Sequence, residues 1–262
     1  QPVVVDNKPG GLTVTAALEV KRGPPDGSVI LVAIDATYTI NPFIFSDLKY
    51  DPMTDFEHVS LVANQSAVML TSSSAPAHTV PGLVEYARRH PTQLNYAAAT
   101  TSLQLAGAMF DRMAQVKTTM VPYKGNAEAA KAILSGEVHF GFDGIAANAT
   151  SIKAGTLRAI ATTGLQRSPA LPDVPTLDEL GLKGFEVRIW NGFSVPKGTP
   201  RPIVEKIQRD TREVLGRPDV KERLLSLGLE AVGSTPEEFV ETIRRDSARY
   251  QPLIRDTGLK VQ

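Results

Sequence analysis

Leu94-Asn95-Tyr96-Ala97-Ala98-Ala99-Thr100-Thr101-Ser102-Leu103-Gln104-Leu105 changes character partway along its length. Leu94–Ala97 is a short, mainly apolar run of the kind that forms a strand buried on both faces. Three hydroxyl residues follow, and a helix is expected over Leu103–Gln115. A strand feeding directly into a helix is the repeating unit of an α/β fold.

The same alternation extends in both directions. Strands are expected at Pro2–Val5, Val29–Ile34, Val59–Val62, Ala67–Thr71, Thr119–Pro122, Val138–Phe142, Leu157–Thr162, Glu186–Val195 and Glu230–Val232. Helix punctuation lies between them. Thr79-Val80-Pro81 opens one helix and His90-Pro91 stops it. Asn126 is placed to cap a second, with Gly136 past its end. Thr199-Pro200 opens a third, and Thr235-Pro236-Glu237-Glu238 is a capping box before Phe239 and Val240. Gln166–Leu182 carries three prolines and reads as a surface connector. The expected class is α/β with mainly parallel sheet.

Bulk composition limits the function. The chain has 28 basic and 28 acidic residues in 262, and 42% of residues are hydrophobic. Zero net charge argues against nucleic acid or an anionic membrane surface as partner. No cysteine is present, which removes thiolate catalysis and thiolate metal sites. No apolar run reaches the ~18 residues a membrane helix needs. The chain opens on Gln1-Pro2-Val3-Val4-Val5 with no leader in view, as expected of a processed or trimmed start.

Four segments stand where strands end and chemistry collects. At Ala99, Thr100, Thr101 and Ser102, hydroxyls coincide with first-turn N–H groups that have no intrahelical partner. Helix dipole and donors together can hold an anion there. The competing reading is that Thr101 or Ser102 simply caps the helix. Tyr123, Lys124, Gly125 and Asn126 form a second strand-to-helix junction, where Gly125 permits close approach and Lys124 is either a counter-charge or solvated. Asp143 ends a third strand, as ligand acceptor or as helix cap. Asp35, Ala36, Thr37, Tyr38 and Thr39 form a fourth strand-end loop, although Asp35 would repel an anion. Trp190 either packs or walls a cleft. The four histidines show no metal-ligand spacing, and no Walker, G-x-S-x-G or dinucleotide fingerprint occurs, so neither metal nor cofactor is expected.

Several phrases together resemble the Bug/TctC family of periplasmic receptors for tripartite tricarboxylate transporters. They are Pro2-Val3-Val4-Val5-Asp6-Asn7-Lys8-Pro9-Gly10, Pro25-Asp26-Gly27, Ile40-Asn41-Pro42, Tyr50-Asp51-Pro52, Leu94-Asn95-Tyr96-Ala97, Val121-Pro122-Tyr123-Lys124-Gly125 and Arg167 through Thr176. The resemblance implies a two-lobed Venus-flytrap fold with two crossing strands. Lobe one would hold about 1–64 and 190–262, lobe two about 65–189. It implies a monomeric periplasmic receptor that closes on a small carboxylate and presents it to membrane transporter subunits. The four segments above fall on the family's cleft loops. The likeness starts after the strand, loop and helix with which family members begin. Ala98–Ser102 lacks the family's glycines. A sensor feeding a signalling partner is the alternative function, and an α/β hydrolase a weaker one.

Overall fold

The computed structural model describes residues 2–8, 10–123 and 125–260. The chain separates into two compact units. Unit 1 comprises Gln1–Asn64, Trp190–Lys221 and Ala231–Gln262, and unit 2 comprises Gln65–Ile189 with Glu222–Glu230.

Unit 1 begins with a short 3-10 turn, Gly11–Thr13, and helix α1, Val14–Lys21. Strand β1, Leu31–Ile34, leads straight into α2, Asp35–Thr39, and α3, Asn41–Ile44. Strand β2, Phe56–Ser72, runs unbroken from unit 1 into unit 2. Two separate strands were expected here, because Asn64-Gln65-Ser66 interrupts the apolar pattern. Backbone pairing continues through those polar residues.

Unit 2 then alternates regularly: α4 (Val80–Arg89), β3 (Asn95–Ala98), α5 (Thr101–Ala114), β4 (Thr119–Pro122), α6 (Asn126–Ser135), β5 (Phe140–Gly144), α7 (Ile145–Lys153) and β6 (Leu157–Thr162). The remaining elements are β7 (Arg188–Pro196), α8 (Arg201–Gly216), α9 (Pro218–Ser226), β8 (Glu230–Ala231) and α10 (Pro236–Thr257). The expected caps close α4 and α10: Thr79 accepts from the Gly82 N–H, and Thr235 and Glu238 satisfy each other reciprocally. The expected strand at Pro2–Val5 does not form. Val3, Val4 and Val5 are 80–88% exposed, with no strand partner among the described residues.

The sheet is mixed. In unit 2 the order is β6-β2-β5-β3-β4. The β3–β4 and β3–β5 pairs are parallel, and β2 is antiparallel to both β5 and β6. In unit 1, β1 lies antiparallel to β7. Parallel pairing of β3, β4 and β5 needs a helix to carry the chain back each time, which is why α5 and α6 exist.

Each unit has its own apolar centre. Unit 2 packs Val68, Leu70, Ala97, Ile133 and Val138 together, with Tyr96 stacked on Phe140 at 5.4 Å. Unit 1 gathers Trp190, Tyr38, Phe239, Phe56 and Tyr50. Trp190 therefore packs in the core, and its Nε1–H donates to the buried carboxylate of Asp246 at 2.9 Å. Phe239 fits only because Gly192 on β7 has no side chain: a Cβ there would lie 2.1 Å from the Phe239 ring. Gly192→Ala should therefore destabilise the protein by about 1–3 kcal/mol through overpacking. Urea unfolding at neutral pH measures this, and an unchanged midpoint would contradict the packing.

Candidate functional site

In unit 2 the parallel register aligns Ala98 with Pro122 and Ala97 with both Val121 and Gly141. Three strands thus deliver their carboxyl ends to one edge of the sheet. The backbone ties two of the junctions together, since the Tyr123 N–H donates to the Ala98 carbonyl at 3.3 Å. Helices α5, α6 and α7 all start on this edge. Their first-turn N–H groups point along it, with the positive ends of three dipoles side by side.

The junctions differ in how they are finished. Thr100 is the N-cap of α5, and its Oγ1 accepts from the Leu103 N–H at a long 3.4 Å. The helix starts two residues before the expected Leu103, so Thr101 and Ser102 are its first residues, almost fully buried. Ala99 and Thr100 are half-buried. At α6 the cap position falls on Gly125 rather than on Asn126, and no side chain caps the helix. Asn126 is the first helical residue. Nothing lies within 4 Å of where a Gly125 Cβ would be, so this helix end is open. Lys124 lies outside the described residues. Tyr123 directs its hydroxyl to Glu137 at 2.8 Å, past the far end of α6. Partial burial and the Glu137 carboxylate raise the phenol to about 12.

Asp143 is 1% exposed at the end of β5. Its Oδ1 accepts from the Gly144 N–H at 2.7 Å, and its Oδ2 accepts from Asn148 Nδ2 at 2.8 Å. Burial pushes its carboxyl above the usual range, and these two donors pull it back. Asp143 thus fixes the start of α7, while the cap residue itself is Gly144. Asn148 was not singled out by sequence. Its signal was a lone amide in the otherwise small and apolar Ile145-Ala146-Ala147 run of α7, buried to 1%.

Asp35–Thr39 lies in unit 1 and is not a loop. It is a five-residue helix with no residue more than 1% exposed. Tyr38 stacks on Trp190 at 5.6 Å, and its hydroxyl meets Ser194 Oγ at 2.9 Å. Thr39 donates to the Asp35 carbonyl, and Thr37 shares a 2.6 Å hydrogen bond with Thr13. These groups serve the core because aromatic packing outweighs the polar pattern of the segment.

The structure also brings together one serine–histidine pair, Ser194 Oγ and His58 Nδ1 at 3.1 Å. Ser194 is fully buried and His58 nearly so. The hydroxyl is shared with Tyr38, and burial lowers the His58 imidazole to about 4. The three side chains thus form a buried hydrogen-bonded cluster within unit 1. No cluster of three metal-ligating side chains occurs among the described residues.

Helix starts lined along the carboxyl edge of parallel strands, in an α/β protein of two units, define a solute-binding protein of the periplasmic-binding-protein type. Comparison with known proteins makes this specific. The family model for the tripartite tricarboxylate transporter family receptor, TctC, matches residues 1–259, and the chain belongs to that family. Among solved structures, R. palustris Rpa4515 with adipate is 30% identical, with a TM-score of 0.89 over 97% of this chain and 86% of that one. The periplasmic binding protein BugD is 32% identical, with a TM-score of 0.85 over 99% and 88%. MatC (Rpa3494) from Rhodopseudomonas palustris, with bound malate, is 28% identical, with a TM-score of 0.81 over 94% and 85%.

The depressed His58 fixes a pH response. The unfolded imidazole takes a proton near 6.5, the folded one near 4. Between those values the unfolded chain binds the extra proton, so stability falls as the solution is acidified from 6.5 to 4. The loss from this one group is about 3 kcal/mol. In urea unfolding at stepped pH, His58→Asn should show a shallower decline across that window, and a slope equal to wild type refutes the assignment.

Proposed function

We propose that this protein is an extracytoplasmic receptor that captures a small mono- or dicarboxylate, as a monomer and without chemical turnover, and delivers it to a membrane transporter. The observation that carries the reading is the pair of neighbouring helix starts at Thr100–Ser102 and Gly125–Asn126 on one strand edge of unit 2. One of these ends is open and uncapped.

A carboxylate has two oxygens and four lone-pair directions, which suit N–H donors converging from two adjacent helices. Each helix start contributes roughly half a positive charge. Two starts therefore offset one carboxylate without a committed guanidinium. The hydroxyl of Thr100 adds a donor when it rotates away from its long bond to Leu103. Water bridges the oxygens that no protein group reaches. Asp143 stays compatible with an anion nearby because both its oxygens already accept bonds within the chain. The relatives with bound adipate and malate support a carboxylate ligand for this chain, and the similarity to the periplasmic binding protein BugD supports a periplasmic location.

Calorimetry with the full-length protein and a panel of carboxylates, adipate and malate included, tests this. At least one should bind with about 1:1 stoichiometry and raise the melting temperature in proportion to its affinity. Gly125→Val adds a branched side chain at the α6 start, where an added Cβ meets nothing within 4 Å beyond its chain neighbours. It should weaken the bound carboxylate at least about tenfold, or 1.4 kcal/mol, while leaving the unliganded melting temperature in place. No binding by any carboxylate at millimolar concentration, or undiminished binding by the variant, refutes the site.

A further inference from the structure

A groove of about 270 Å³ runs along α7 in unit 2, distinct from the two helix starts that grip the carboxylate. Its walls are apolar, with Ile145, Ala149 and Ile152 from α7, Leu171 from the connector and Leu225 from the end of α9. Lys153 is the single charged residue in the lining and forms no ion pair among the described residues. No acidic side chain faces it from the groove. Apolar surface continues past the rim, since Leu225 is 45% exposed and Leu227 is 42% exposed. Helix α9 buries none of its residues. Contiguous exposed apolar surface around a hollow marks a contact surface for a partner or a ligand.

The far wall has an unusual connection. Glu222–Glu230 packs with unit 2, but the chain on either side of it belongs to unit 1. Gly228 holds it against α7: its φ is +69°, and a Cβ would meet the Ala146 amide nitrogen and Cβ at 3.1 and 3.2 Å. The near wall, α7, starts at Gly144, whose N–H is held by Asp143 on the carboxyl edge. One wall is thus rooted beside the helix starts, and the other is tethered at both ends to unit 1.

We propose that this groove is where the membrane partner docks, taking an apolar side chain that is followed by an acidic residue. This rests on the receptor reading above, since a receptor of this family serves a transporter. The apolar side chain fills the hollow between Ile152, Leu171 and Leu225, and the acidic group pairs with the otherwise uncompensated Lys153. The pairing also gives direction to the encounter, because complementary charge at a rim acts mainly on association.

The test uses the full-length receptor in cells that carry the transporter, with uptake of whichever labelled carboxylate the calorimetric panel identifies. Leu225→Asp and Lys153→Glu should lower uptake at least about tenfold, while purified variants keep wild-type carboxylate affinity and melting temperature. Leu134→Asp, at a 47% exposed position on α6, should leave uptake unchanged. Wild-type uptake by both groove variants overturns the proposal. So does a loss of uptake matched by loss of affinity or of melting temperature. A second bound carboxylate that Leu225→Asp abolishes makes the groove a small-molecule site and overturns it too. If no carboxylate binds at all, the receptor reading falls, and the docking site falls with it.

Discussion

The arrangement depends on one constraint: neighbouring parallel strands must each be followed by a helix that begins at the same sheet edge. Main-chain pairing puts Ala98 beside Pro122 and Ala97 beside Gly141, so three helix starts are brought level whatever their side chains. Helix starts carry N–H groups that the helix itself cannot satisfy. Each must find water, a side-chain cap or a ligand. Thr100 closes one incompletely, Asp143 and Gly144 organise another, and Gly125 leaves the third open. The proposed anion site rests on backbone geometry that side chains here leave uncancelled.

This has an electrostatic consequence. The chain is neutral, with 28 charges of each sign, and its exposed ion pairs are mostly local, such as Arg201 with Glu205 and Arg217 with Asp219. Such pairs contribute little to stability and cast little field at a distance. A grip made of amide dipoles acts only within the first turn of each helix. It is short-ranged and directional, and it selects by the position of carboxylate oxygens rather than by net charge. The proposed carboxylate site would release its ligand more readily for this reason, because a buried guanidinium–carboxylate pair is costly to separate.

Sequence disclosed those parts of the fold that are local. The capping box at Thr235–Glu238 and the Thr79 cap each need only a few consecutive residues, and each is where the pattern places it, while α5 begins at Thr101 with Thr100 as its cap rather than at the expected Leu103. What escaped depends on distant residues. Asp35–Thr39 has the composition of a polar loop, yet Tyr38 finds Trp190, Ser194 and Phe239 from segments more than 150 residues away. No window of sequence holds that information. Asn64-Gln65-Ser66 broke the apolar pattern of β2 without breaking its hydrogen-bond ladder, because pairing is set by the backbone. Asn148 was hidden for a similar reason: an amide inside a helix acquires meaning only once Asp143 is seen beneath it.

Asp143 shows why a carboxylate at the end of a strand need not oppose anion capture. An unpaired carboxylate at this depth would be desolvated and would repel a like charge. Here one oxygen takes the Gly144 N–H and the other takes the Asn148 amide, so the charge is spread into α7 rather than aimed along the edge. One N–H at the α7 start is thereby committed within the chain, whereas Thr100 closes the α5 start at a long distance and no side chain caps α6. The same bonds make α7 a stiff rod rooted at the edge, with Asn148 also donating to the Gly144 carbonyl at 3.0 Å. Within the chain, Asp143 acts as the anchor that fixes the start of α7.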